Sequence, residues 1–202
     1  MKRLLILIYL LSAINSYAQV INFNNFDEAI MNRVMFDEMN KYVKKIHNGD
    51  SLIWSTVVQK DVMKDNYNFM KTNSGKDLMK LHNPKWLGRG WNELPDTIRV
   101  KIIEEMTTKY PQSEFLRANK LENFDVYTAF TYTEILHCII YGGSYPQTTY
   151  QDVAKGAIKA WNNSPPHALY MNANYKNAVI TGVATFFDRK RRTIYISFVH
   201  VS

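Results

Sequence analysis

The sequence predicts a single α+β domain. Several segments repeat apolar residues at helical spacing, and two β-rich runs near the end of the chain, 178–187 and 193–201, are joined by the charged turn 188–192. Such a pair is typical of an antiparallel hairpin. The chain has 202 residues, of which 46% are hydrophobic, so it can bury one sizeable core.

Four helices are predicted before residue 162, and a short fifth helix follows Ser164. Apolar residues recur every three or four positions within each of the four segments, and two of the four begin with a residue or a pair suited to capping. Ser55 is the expected N-cap of the second helix, and Thr149 with Asp152 forms an approximate capping pair before the fourth. The predicted helices span 26–47, 55–70, 96–110 and 149–161.

The apolar run 127–141 leaves two alternatives open. Its aromatic and β-branched residues favour a strand, although 136–140 could also continue as a helix. Glu134 lies inside this run, and a buried carboxylate needs a partner. A salt bridge to a basic side chain and a role in a functional site are both compatible with that need.

The N-terminus has the features of a secretory signal peptide. Lys2 and Arg3 precede an apolar run, and small residues follow at Ser16 and Ala18. A retained membrane anchor is the alternative, but the run is shorter than the roughly 20 residues that span a bilayer. We therefore expect a signal peptide at 1–18, a mature domain at 19–202 without a transmembrane anchor, and a secreted or periplasmic location.

Charge and cysteine content narrow the classes of function. Removing Lys2 and Arg3 from the 25 basic residues leaves 23 against 18 acidic residues, a net charge of +5. The basic residues are scattered and no nucleic-acid motif accompanies them, so we expect no nucleic-acid partner. Cys138 is the only cysteine, which excludes an intrachain disulfide.

His167 is the most conspicuous polar residue. It follows Ser164-Pro165-Pro166, which ends one helix and begins another, with Asn163 or Ser164 as the cap and a proline in the first helical position. The positive end of a helix dipole disfavours an imidazolium there. A neutral His167 could act as a base or as a metal ligand.

The block around His167 resembles the central motif of the CAP superfamily, the cysteine-rich secretory, antigen 5 and pathogenesis-related proteins, in its bacterial form. Trp161 closes a helix, Ser164 to His167 match Ser-Pro-Gly-His with Pro166 in place of the glycine, and 179–184 matches the following strand with Ile180 in place of a glycine. The Leu52 to Ser55 segment is also similar to the start of the second helix in these domains.

The resemblance implies a CAP-like α-β-α sandwich, in which a small antiparallel sheet lies between helical layers. The segment 83–132 is an addition to a minimal domain of this family, and we expect it to add a structural helix over the core. The alternative is a functional role for this segment, in which Trp86 and Trp91 line a ligand cleft or a partner surface. Eukaryotic members usually carry several disulfides, so the single cysteine points to the bacterial branch.

The resemblance also implies a metal site. Many members bind a divalent cation such as Zn²⁺ through two histidines and two glutamates, and the matching positions are His82, Glu134 and His167, with Ser164 where the second glutamate would stand. Two histidines and a carboxylate satisfy zinc coordination with an open position. His82 precedes Asn83-Pro84, so an ordinary residue at a helix end is an equal alternative for it.

Three functions remain open from the sequence. The first is a secreted protein that binds a small molecule or a lipid, with Zn²⁺ as an optional ion and no required cofactor. The second is a metal-dependent hydrolase built on His82, Glu134 and His167. The third is a non-catalytic structural module. Enzymatic activity is not favoured, because no Gly-x-Ser-x-Gly elbow and no His-Glu-x-x-His helix is present.

Overall fold

The structure is a computed structural model. It describes residues 20–46, 52–77, 81–86, 94–109, 132–140, 148–171 and 179–201, with the backbone alone for 132–140. The predicted signal peptide at 1–18, the aromatic residue Trp91 and the side chains of Glu134 and Cys138 lie outside this described part.

A four-stranded sheet forms the centre of the domain, with strand order β1-β3-β4-β2. The β3–β4 hairpin and its antiparallel pairing confirm the sequence prediction, and for the described residues 132–140 the open alternative is settled in favour of a strand. β1 joins the edge of the sheet in parallel to β3, so the sheet is mixed. The strands are β1 (Leu52–Trp54), β2 (Tyr132–Ile140), β3 (Val179–Asp188) and β4 (Thr193–Val201).

The helices begin where local capping chemistry places them. Ser55 Oγ accepts from Val58 N at 3.0 Å, as predicted for an N-cap. Thr149 and Asp152 form a complete capping box. The helices are α1 (Glu28–Ile46), a π-helical segment (Val58–Met63) that continues as α2 (Lys64–Asn73), α3 (Asp96–Lys109), α4 (Tyr150–Asn162) and α5 (Pro165–Met171).

Both faces of the sheet are covered by helices. Alternating β4 residues point to opposite sides, so Ile196 and Phe198 pack in one cluster with α1 and α4. Tyr195 and Val199 pack in a second cluster with the π-helical segment, α2 and α3. The domain therefore has a helix–sheet–helix arrangement, which confirms the predicted α+β class and explains why β3 and β4 are apolar on both sides.

The described part of the segment 83–132 contributes residues to the second of these clusters. Ile102 and Met106 of α3 are fully buried in the second cluster, and Trp86 is 1% exposed. Trp86 is thus a core residue, which answers the alternative of a cleft-lining role for it. The helix predicted at 96–110 is present as Asp96–Lys109 and packs over the core.

A buried carboxylate connects α3 to the residues just before the π-helical segment. Glu105 accepts hydrogen bonds from Ser55 Oγ at 2.6 Å, from Thr56 N at 2.8 Å and from Val57 N at 3.2 Å. Lys109 donates to the same side chain at 2.6 Å. Glu105 of α3 therefore accepts from free backbone N–H groups at the start of another helix, the one that begins at Ser55.

Candidate functional site

A chain of buried amides holds the short segment that carries His82. Asn83 donates to Asn66 Oδ1 at 3.1 Å, and Asn66 donates to Ser197 Oγ at 3.1 Å. Leu81 on the other side of His82 is fully buried. Because both neighbours of His82 are immobilised in the interior, its backbone position is fixed by α2 and β4 rather than by the loop itself.

The position of Asn66 in the sequence already indicates a buried amide. Asn66 follows Val62 by four positions and precedes Met70 by four, so it occupies the buried stripe of its helix. A polar residue on such a stripe requires an internal partner. Asn66 is indeed fully buried, and its partners are the two groups described above.

His167 is held by the residue immediately before its helix. α5 begins at Pro165, which places Ser164 at the N-cap, one of the two predicted capping positions. The Ser164 hydroxyl lies 2.8 Å from His167 Nδ1, and Ser164 O accepts from Ala168 N at 2.8 Å. Ser164 therefore stands at the N-cap, and its side chain forms a hydrogen bond with the imidazole.

The two histidines lie close enough to interact electrostatically. Burial lowers the pKa of His82, and the charge of His167 lowers it further. Burial also lowers the pKa of His167. The asymmetry has a simple cause: His167 accepts a proton first, and its positive charge then opposes protonation of the more deeply placed His82. Both imidazoles are neutral at pH 7.

Two of the three predicted ligands, His82 and His167, therefore lie within range of an electrostatic interaction. The third predicted ligand, Glu134, lies opposite Val199 in the β2–β4 register, and its side chain is outside the described part. Among the described side chains, no group of three or more His, Cys, Asp or Glu residues is arranged to hold a metal ion. A shared metal site at His82, Glu134 and His167 stays a prediction.

The fifth histidine in the chain, His200, belongs to the core. It is 2% exposed, in β4, and burial lowers its pKa to about 4. Its partners in the sheet register are Thr133 and Thr181. His200 is therefore a buried residue of the sheet, and the folded state favours its neutral form.

Comparison with models of protein families, with curated proteins and with solved structures finds no match to this chain. The resemblance to the CAP superfamily therefore rests on the sequence motifs alone. Within the described residues, none of the helices combines the length and the apolar character needed to cross a lipid bilayer.

Proposed function

We propose that this chain is an exported binding protein of the CAP type whose ligand site contains His82 and His167, with Glu134 as a third polar group. The observation that carries the proposal is that two half-buried histidines from distant parts of the sequence lie within range of an electrostatic interaction, with the Ser164 hydroxyl 2.8 Å from Nδ1 of His167. Neutral imidazole is the form that binds divalent metals and accepts hydrogen bonds.

The Ser164 contact supports a ligand role for His167. When Nδ1 carries the proton, it donates to Ser164 Oγ, and Nε2 keeps its lone pair for a ligand. A partner that fixes the tautomer in this way is a regular feature of metal-binding histidines. A cation held by His82 and His167 with the Glu134 carboxylate would have an incomplete set of protein ligands, so we expect weak binding of Zn²⁺.

The test is a Zn²⁺ titration of the mature protein, followed through the imidazole C–H resonances of His82 and His167. His167→Gln and Glu134→Gln should each weaken Zn²⁺ affinity at least tenfold, whereas Lys159→Gln on the exposed face of α4 should leave it unchanged. Affinity should fall as the pH falls through the histidine pKa values, because protons compete for the same nitrogens. Equal Zn²⁺ affinity in wild type and His167→Gln would refute the shared site.

A small molecule or lipid is the further ligand that the resemblance implies. The structural support is the fixed position of His82, whose neighbour Asn83 donates to Asn66. Neutral imidazoles next to an open coordination position would orient a polar headgroup. Binding of fluorescent fatty acids that responds to His167→Gln would extend the proposal to this ligand class.

The same contact between Ser164 and His167 favours a hydrolase as the second candidate. In the other tautomer Ser164 donates to Nδ1, which is the relation between a nucleophile and its general base. An ester panel run on wild type, Ser164→Ala and His167→Gln separates the two functions. We expect no turnover above background in any of the three proteins. Turnover in wild type that is lost in both variants would replace the binding-protein proposal by the hydrolase.

A further inference from the structure

A pocket lies away from the histidines, where the start of α1, the end of α2 and the end of β3 meet. It has a volume of about 450 Å³ and shares no lining residue with the His82–His167 region. Its size is in the range of small-molecule sites in proteins. The pocket combines aromatic side chains with two acidic and two basic residues.

The aromatic walls are held rigidly by contacts with one another. The Phe26 and Phe187 rings are 4.9 Å apart between centroids, and Tyr67 meets Phe186 edge-on at 5.8 Å. Phe186 also stacks on Tyr195 at 6.0 Å. Tyr67 and Phe186 are only half-buried, so each keeps ring surface available to a ligand.

Both carboxylates of the pocket are engaged by protein donors. Glu28 Oε1 accepts from Phe187 N at 3.1 Å, and the Tyr67 hydroxyl also donates to Glu28, which together with burial raises the pKa of Tyr67. Asp27 Oδ1 accepts from Ile30 N at 3.0 Å and thereby caps α1. The positive end of the α1 dipole offsets the charge of both acids.

The two cations of the pocket, Lys71 and Arg189, are exposed to solvent. Within the described residues neither of them forms an ion pair with a carboxylate. The Lys71 ammonium lies 5.9 Å from the centroid of the Tyr67 ring. Two cations that form no ion pair within the described residues therefore stand next to aromatic ring surface.

We propose that this pocket binds a small organic anion with a flat apolar body, of the aromatic carboxylate class. The carboxylate would pair with Lys71 and Arg189, and the ring would lie against Tyr67 and Phe186. Bidentate pairing of a carboxylate with the guanidinium supplies orientation, and ring contact supplies the remaining affinity. Asp27 and Glu28 accept from backbone N–H groups and, within the described residues, form no ion pair with these two cations.

The experiment measures binding of 2-naphthoate to the mature protein by calorimetry, beside its uncharged amide, 2-naphthamide. We expect the carboxylate to bind at least tenfold more tightly than the amide. Lys71→Gln and Arg189→Gln should each weaken 2-naphthoate binding at least fivefold. Lys190→Gln is the matched control, since Lys190 is exposed on the same turn but does not line the pocket.

The three substituted side chains are exposed, so the variants should retain the wild-type thermal midpoint. Equal affinity for 2-naphthoate and 2-naphthamide would overturn the proposal, because the cations would then play no part. Wild-type affinity in Lys71→Gln or Arg189→Gln would overturn it as well. His167→Gln should bind 2-naphthoate as wild type does, because the two sites are separate.

Discussion

Replacing Glu105 by Gln tests how α3 is attached to the rest of the domain. The substitution keeps the size of the side chain but removes the charge that accepts from Ser55, Thr56 and Lys109. Those hydrogen bonds outweigh the effect of burial and lower the pKa of Glu105 to about 2, against an ordinary value of 4.5. The side chain is 6% exposed, so solvent screens the interaction little.

The difference between these two pKa values corresponds to about 3 kcal/mol of folding free energy at pH 7. Because the folded-state value is the lower one, this stabilisation is complete above pH 4.5 and is lost as the pH falls towards 2. At a denaturant slope of about 2 kcal/mol per M, Glu105→Gln should lower the urea midpoint by roughly 1.5 M at neutral pH.

The assay is urea unfolding followed by circular dichroism at pH 7 and at pH 3. Glu104→Gln is the matched control, because Glu104 is the neighbouring residue on α3 and is exposed. It should change stability by less than about 0.5 kcal/mol. The Glu105→Gln deficit should shrink to about half by pH 3. A deficit that is equal for the two variants, or that does not depend on pH, would refute the proposed role of Glu105.

Three further predictions concern the histidines and the sheet. His167→Gln should raise the pKa of His82, measured by NMR titration, because the opposing charge is removed; an unchanged pKa would show that the two do not interact. Burial lowers the pKa of His200 to about 4, so about 3 kcal/mol of folding stability is present above pH 6.5 and is lost as the pH falls to 4. The free energy of unfolding should therefore fall by about 3 kcal/mol less between pH 7 and pH 4 in His200→Gln than in wild type. Gly182→Ala should destabilise the fold by about 1–3 kcal/mol in thermal unfolding, because an added Cβ would lie 2.6 Å from Met63 and 2.8 Å from Val58; a wild-type midpoint would contradict the close packing there.

The sequence predicts an element well when its determinants are local. Thr149 and Asp152 are three positions apart, and the hairpin is marked by two β-rich runs with a charged turn, so both were identified correctly. β1 has only three residues, which is too short to show a strand period, and it was interpreted as the approach to a helix. Glu105 is 50 positions from Ser55 in sequence, so no local pattern predicts the contact between them.

The candidate site was predicted through motif order rather than through chemistry. His167 stood out because of the Ser-Pro-Pro block before it, but His82 carries no local sign of function. What fixes His82 is the buried amide chain from Asn66, which depends on the packing of α2 against β4. Packing of that kind becomes visible only when the fold is known.

The strand order has a consequence for the timing of folding. β3 and β4 occupy the two central positions of the sheet, yet they follow all other described elements along the chain. During synthesis, α1, α2 and α3 therefore leave the ribosome before the surface that buries their apolar faces exists. Ribosome-bound chains that lack β4 should therefore be cleaved readily by protease. An unfolded nascent chain is also the form in which a protein can pass through an export channel.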